Sequence, residues 1–453
     1  MPTNQRLSAL AAVLCASFAA IQALGYWHTW LGLPTPAGIA LSILLITAYL
    51  WISEALPLYI SSLGVLAMGV LWLAPALQPG YQPESLYFAF FSDLTLLFLG
   101  GFTLSALLNK YGLAQRMASW LLARTGTAPD RVLLGLLLVS AFLSMWMSNT
   151  ATAAMMFAIV TPMIAQLPQG HSFSKALAIG IPFACNIGGL GTPIGTPPNA
   201  IAMAYLAQQG WELSFAWWMA ISLPVVALLL GGLWLLLLRL YPPGALQMEH
   251  QQAKQPNAPL SAKQWLIIGI FGFTVLGWLL GGQTGISTGM TGLICVLLAY
   301  GSGLLKTPDF RNMPWDILFM LGGGLCLGSC LTASGLTAEA AGLIPAESSL
   351  ALIFGTILLL SAGMTTVMSN TATANLLLPV AISLPASPLL LSIAIAFMCS
   401  SSMALPVSTP PNAIAFGSGL FKVGDMAKAG LVVTLMAMVL TSLASIFYIP
   451  LFI

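Results

Sequence analysis

Two short polar strings, each present twice, hold the residues of this chain best suited to chemistry. Ser148-Asn149-Thr150-Ala151-Thr152-Ala153 recurs as Ser369-Asn370-Thr371-Ala372-Thr373-Ala374. Thr196-Pro197-Pro198-Asn199-Ala200-Ile201 recurs as Thr409-Pro410-Pro411-Asn412-Ala413-Ile414, in the same order and a little under half the chain further on. Hydroxyls and amides are neutral donors and acceptors, able to serve an anion or a cation. The flanking prolines and glycines break helices, and exposed backbone N–H and C=O groups add to the same chemistry. Anion binding without covalent chemistry is what these residue types imply. A hydrolytic or redox centre is disfavoured, because the three histidines all lie outside the motif segments and no acidic pair lies inside an apolar run.

The surrounding chain is greasy. Charged residues make up 5%, apolar residues 58%, and the mean hydropathy is +0.95. Runs such as Leu41–Tyr49, Met219–Leu240, Ile267–Leu280 and Ala351–Leu360 predict membrane helices, so the fold class is all-α and polytopic. A net charge of +2, with the basic residues scattered singly, gives no nucleic-acid signal. Cys15, Cys185, Cys295, Cys326, Cys330 and Cys399 read as small buried hydrophobes. Arg6, Lys110, Arg116, Arg124 and Arg131 predict a cytoplasmic N-terminus by the positive-inside rule. Arg239, Lys254 and Lys263 bracket a hydrophilic linker, Tyr241–Ser261.

The elements that must carry the motifs follow from their flanks. Val132–Met147 and Ala153–Ile164 are too short to span singly and predict a re-entrant helical hairpin with the Ser-Asn-Thr triplet at its tip. Ala351–Met368 and Ala374–Leu384 predict a second one. Ala176–Leu190 is a helix that must break at Gly191–Pro198 and restart at Asn199; Ile393–Leu405 repeats the break at Pro406–Pro411. Asp93 and Asp316 each open a glycine-bearing apolar helix and read as N-caps, Glu54 reads as a helix end, and Ala114–Ala123 reads as an interfacial helix. The repeated order predicts two related halves that build one site together. The expected divisions are a scaffold at 1–130, a transport part at 131–212, linker and scaffold at 213–345, and a transport part at 346–453.

These motifs resemble the divalent anion/sodium symporter family, which includes the INDY-type dicarboxylate transporters. The resemblance implies a homodimer of inverted repeats working as an elevator in the lipid bilayer, with a bacterial inner membrane as the expected location. It implies that Ser148, Asn149, Thr150, Ser369, Asn370 and Thr371 hold a dicarboxylate, with Thr196, Pro197, Thr409 and Pro410 lining the cavity. It implies one Na+ set at Ser144, Ser148, Asn149 and Gly195, and another at Thr365, Met368, Asn370 and Ser408. Between Arg131 and Arg239 the only Lys or Arg is Lys175, and between Arg311 and Lys422 there is none. A dianion held by the motifs must therefore be balanced by helix dipoles, neutral donors and co-bound cations. Sodium-coupled symport of C4-dicarboxylates is the leading expectation. A sodium-independent exchanger, or a carrier of sulfate or tricarboxylates such as citrate, remains open, and an anion channel is the reading from another class.

Overall fold

The computed structural model describes residues 3–246, 259–342, 349–384 and 386–452. Lys254, most of the linker around it and the expected division at 345 lie outside them. The described residues are helical and irregular, without strands. In chain order the helices are α1 (Thr3–Ala23), α2 (Tyr26–Leu31), α3 (Thr35–Ser53), α4 (Leu58–Met68), α5 (Glu84–Phe90), α6 (Asp93–Lys110), α7 (Leu113–Leu122), α8 (Pro129–Ser144), α9 (Asn149–Ile164), α10 (Phe173–Gly189), α11 (Pro197–Gln208) and α12 (Phe215–Leu240). The later ones are α13 (Ala262–Thr284), α14 (Thr288–Gly301), α15 (Thr307–Arg311), α16 (Trp315–Ala333), α17 (Leu336–Gly342), α18 (Leu350–Val367), α19 (Asn370–Ala381), α20 (Pro388–Ser401), α21 (Pro410–Gly417) and α22 (Val423–Leu443). Among the described residues eight helical stretches are long and apolar enough to cross a membrane.

The helices gather into two compact units. One holds Met1–Thr95, Ala200–Glu212 and Pro314–Cys399; the other holds Leu96–Asn199, Leu213–Met313 and Ser400–Ile453. In the first unit, α16 carries Gly322, Gly323, Gly324 and Gly328 on its packed surface. A Cβ on Gly323 would enter Ser62 of α4, and one on Gly324 would enter the Asn375 amide of α19. Lacking Cβ atoms, these residues let neighbouring helices approach closely, which is how helices associate where no water drives them together. In the second unit, a Cβ on Gly188 of α10 would collide with the backbone of Ala141 on α8, and Gly100 of α6 meets the backbone of Gly292 on α14.

The two Gly-Leu turns match. Gly112 and Gly335 both adopt left-handed φ, 66° and 77°, directly before α7 and α17. Glu54 ends α3 with φ 48°, the only positive value at a non-glycine among the described residues. The expected Asp caps differ in detail. Asp93 is the first residue of α6, and Asp316 lies inside the first turn of α16, whose cap position is Pro314. Each carboxylate lies in a first helical turn, where negative charge meets the positive end of the helix dipole.

Candidate functional site

Each Ser-Asn-Thr motif opens a helix. In the first hairpin α8 ends at Ser144, Met145–Met147 turn, and Ser148 caps α9 with φ −61° and ψ 140°, its Oγ accepting from the Ala151 N–H at 3.2 Å. In the second, Ser369 caps α19 with φ −64° and ψ 145°, its Oγ accepting from Ala372 N–H at 3.1 Å. The near-identical dihedrals show that the repeat is one of structure as well as of sequence. The polar tip expected between the arms is thus a turn ending at the serine, and both Asn-Thr pairs sit in a first helical turn. Free N–H groups and the positive end of the helix dipole gather there, which favours a carboxylate.

Each asparagine is matched with a hydroxyl five residues earlier. Ser144 Oγ lies 2.6 Å from Asn149 Oδ1, and Thr365 Oγ1 lies 2.7 Å from Asn370 Oδ1. Around Asn149 the oxygens crowd together. The Oδ1 position is also 3.3 Å from the carbonyls of Gly195 and Cys185. Turned end for end, the amide donates to those carbonyls and to Ser144 Oγ. In its other orientation the amide carbonyl faces one hydroxyl and two backbone carbonyls. That neutral, all-oxygen donor set fits a hard cation such as Na+. It brings together Ser144, Asn149 and Gly195 of the first expected set, with Ser148 beside them as the cap, and adds the Cys185 carbonyl, which the sequence did not suggest. Of the second set, Thr365, Met368 and Asn370 lie in the first unit, where Thr365 Oγ1 is also 3.0 Å from the Cys399 carbonyl. Met368 is the extended residue between α18 and the cap. Ser408 lies in the second unit, its Oγ donating to Leu405 O at 2.5 Å.

Both helix breaks are held by the asparagine of their own motif. Asn199 Nδ2 faces the carbonyls of Gly189 (2.9 Å), Leu190 (3.3 Å) and Thr192 (2.9 Å). Asn412 Nδ2 faces Met403 O (3.1 Å) and Leu405 O (3.0 Å). The first break is held further by Trp218 Nε1 on Leu190 O (3.0 Å), Ser222 Oγ on Gly191 O (3.2 Å) and Thr192 Oγ1 on Met145 O (2.5 Å). The helices restart at Pro197 and Pro410, two residues before the asparagines, because proline is tolerated in a first turn that lacks N–H partners anyway. Thr409 caps α21, accepting from Asn412 N–H at 3.4 Å. Buried Thr196 receives Ser400 Oγ at 3.4 Å. A Cβ on Gly195 would strike the Gly189 carbonyl, so the first break admits only glycine there.

Within the second unit the first tip, the first break and the second break converge, and Asn186 links them. This residue of α10 is 1% exposed. Its Nδ2 donates to Thr409 Oγ1 (3.1 Å) and Asn412 Oδ1 (3.3 Å), while its Oδ1 lies 3.4 Å from Asn149 Nδ2. It falls outside both repeated strings; its one sequence signal was a lone amide in an apolar helix. Thr152 and Thr373, equivalent members of the repeated string, both carry buried hydroxyls without a partner. Ser369, Asn370 and Thr371 belong to the first unit. Lys175, the one Lys or Arg between the first motif and Arg239, is bound to Asp425 at 3.0 Å. It stands at the far end of α10, about 20 Å from the break by helix rise, so it does not clamp a ligand at the tip.

Repeated hairpins, interrupted helices and an uncharged polar site within apolar spans define a polytopic membrane transporter. The chain belongs to the citrate transporter family, whose profile matches residues 48–387, within the divalent anion/sodium symporter group. It is an integral membrane protein, and its family members are transporters, not enzymes. It is 32% identical over 453 residues to the sodium-dependent dicarboxylate transporter SdcS of Staphylococcus saprophyticus, covering 90% of this chain and 86% of that one. The SdcS of Staphylococcus aureus USA300 is 31% identical over 459 residues, covering 92% and 87%. The inorganic phosphate transporter PHO87 of Saccharomyces cerevisiae is 32% identical over 419 residues, 86% of this chain. The chain spans about half the length of the yeast relatives it matches, 45% of PHO87 and 48% of an uncharacterized transporter of Schizosaccharomyces pombe. The Alcanivorax borkumensis YdaH transporter shares the fold, with a TM-score of 0.56 and 14% identity over 86% of this chain and 97% of that one.

Proposed function

We propose that this protein is a symporter that moves C4-dicarboxylates of the succinate, malate and fumarate class together with Na+. The observation that carries the reading is the duplicated tip: a serine-capped helix N-terminus whose asparagine is shared with a hydroxyl five residues upstream. A carboxylate is accepted by the N–H groups, the serine and the threonine of such a tip, and Na+ by the oxygens behind it. Because no fixed cation lies at the first tip, the cation is the natural counter-charge, and dianion affinity depends on it. Ser148, Asn149, Thr150, Ser369, Asn370 and Thr371 bind the substrate, with Thr196, Pro197, Thr409 and Pro410 lining its cavity. Ser144, Ser148, Asn149 and Gly195 bind one Na+, and Thr365, Met368, Asn370 and Ser408 a second. The staphylococcal SdcS relatives, named as sodium-dependent dicarboxylate transporters, support the pairing.

The same proposal includes a homodimer in a bacterial inner membrane with the N-terminus cytoplasmic. It also includes an elevator in which 131–212 and 346–453 move against the remainder. A second reading, transport of phosphate or citrate by the same tips, is favoured by the phosphate transporter relative and by the family description.

The deciding experiment is uptake of labelled succinate into proteoliposomes, with and without an inward Na+ gradient and with or without unlabelled succinate inside. Sodium-dependent uptake into empty vesicles supports symport. Uptake only into loaded vesicles and indifferent to Na+ replaces it by exchange. Phosphate or citrate uptake without succinate uptake selects the second reading.

A further inference from the structure

We propose that Tyr205 and Asn375 clamp the two motif-bearing parts to the backbone of α16, and that this clamp opens when those parts move. The inference rests on the elevator division proposed above, in which α11 and α19 travel and α16 stays. Tyr205, Asn375 and α16 all belong to the first unit. Tyr205 of α11 donates its hydroxyl to the Gly324 carbonyl at 2.7 Å. Asn375 of α19 donates its amide to the Met320 carbonyl at 3.3 Å. Both side chains are fully buried. Their acceptors stand four residues apart on one helix, about 6 Å along its axis and close to one face. One residue from each motif-bearing part is thus tied to adjacent turns of a single helix.

Three features make this contact releasable. A carbonyl inside α16 already serves the helix ladder, so each side chain takes a second lone pair. Opening the clamp therefore leaves no carbonyl stranded. At both points α16 also offers bare backbone. A Cβ on Gly324 would enter the Asn375 amide, and one on Gly328 would enter the Tyr205 ring. Hydrogen bonds, not interlocked side chains, therefore mark the register there. Finally, Asn375 Oδ1 is buried without a partner, so one end of the amide is unserved where it stands.

The repeat supplies an independent argument. Counted from the repeated strings, the positions equivalent to Asn375 and Tyr205 in the other copy are Ala154 and Ser418. Ala154 is exposed, and Ser418 donates to Ala415 O of its own helix at 2.6 Å. One tip is built without the asparagine and one break without the tyrosine. Both residues therefore belong to the positioning of the motif-bearing parts and not to the construction of the site.

Cys326 and Cys330 report on the clamp, since both are fully buried on α16 near Tyr205. The test is N-ethylmaleimide labelling of the purified full chain in detergent, followed at each cysteine by peptide mass mapping. Cys185 and Cys295, buried in the second unit, are the internal reference. A buried thiol reacts only from an opened form, so its rate follows the open population. One interhelical hydrogen bond in a membrane protein shifts such a population about three- to fivefold. Tyr205→Phe and Asn375→Leu, both close to native volume, should each speed labelling of Cys326 and Cys330 by that factor. The reference cysteines should not change, and the wild type should respond at Cys326 and Cys330 to Na+ with succinate, phosphate or citrate. Unchanged labelling in both variants beside a responsive wild type overturns the clamp and leaves the elevator standing. No response in variants or wild type removes both. Faster labelling at all four cysteines is general loosening and overturns the clamp. A selective gain in the variants with an unresponsive wild type makes it a static tie and overturns its opening.

Discussion

Asn199→Leu tests whether the helix break is held by its own motif. Leucine keeps the side-chain volume close and removes only the amide. An amide has two N–H hydrogens, so two of the three carbonyls within 3.3 Å are satisfied at a time, those of Gly189 and Thr192 being nearest at 2.9 Å. Asn199 is fully buried, so leaving two backbone carbonyls without donors costs about 1–3 kcal/mol each. Against this, Asn199 Oδ1 has no partner, and its removal returns about 1 kcal/mol of desolvation. The expected net loss is about 1–5 kcal/mol, a few degrees of melting temperature. Asn412→Leu should cost more, because Asn412 Oδ1 also accepts from Asn186. The assay is thermal unfolding of purified protein in one detergent, followed by tryptophan fluorescence and by loss of the monodisperse chromatographic peak. A shift within error for Asn199→Leu, or the reverse order of the two variants, would refute the view that these asparagines close the breaks.

Replacing Asn149 or Asn370 by Ala should abolish succinate uptake, since each is proposed to serve a carboxylate and a cation; wild-type rates in either variant would sink the shared-residue reading. Asn186→Leu should lower maximal uptake about tenfold or more, as Asn149 and the buried Thr409 and Asn412 lose their common link; initial rates across a succinate titration decide it. Gly100→Ala places a Cβ against the backbone of Gly292 and should cost about 1–3 kcal/mol by overpacking, read as a lower melting temperature. Lys110 and the Lys306 N–H hold Asp309 below its usual 3.8. A depressed carboxylate stabilises the fold above its unfolded pKa, and the contribution disappears as pH falls through the lower folded value. Melting temperature should therefore fall below about pH 4, and Lys110→Met should flatten that part of the profile. An unchanged slope would remove the ion pair from the account.

Much of the fold could be read from the chain, because expensive residues in an apolar background announce themselves. The hairpins, both breaks, the Gly-Leu turns and the helix after Gly112 were visible as interruptions of hydropathy. Their fine positions were not. The Ser-Asn-Thr triplets were expected as polar tips joining the arms, yet Ser148 and Ser369 are caps that pull Asn149 and Asn370 into the helix. The restart expected at Asn199 falls at Pro197, since a helix start tolerates proline. The site was legible only where it was duplicated. Asn186 and the Cys185 carbonyl were hidden because their roles depend on what packs against α10. A backbone carbonyl leaves no trace in residue identity.

The amide staples at Asn199 and Asn412 bear on how fast a carrier can turn over. With both interruptions tied by the protein's own side chains, the irregular backbone is held by internal hydrogen bonds. Ordering of these peptide groups is completed during folding and is not repeated in each transport cycle. An anion bound as proposed then loses little affinity to rearrangement of the breaks, and its departure requires no refolding there. On the proposed reading, what remains for each cycle is the filling and emptying of the oxygen shell around Asn149, a change of coordination that leaves the scaffold of the break intact.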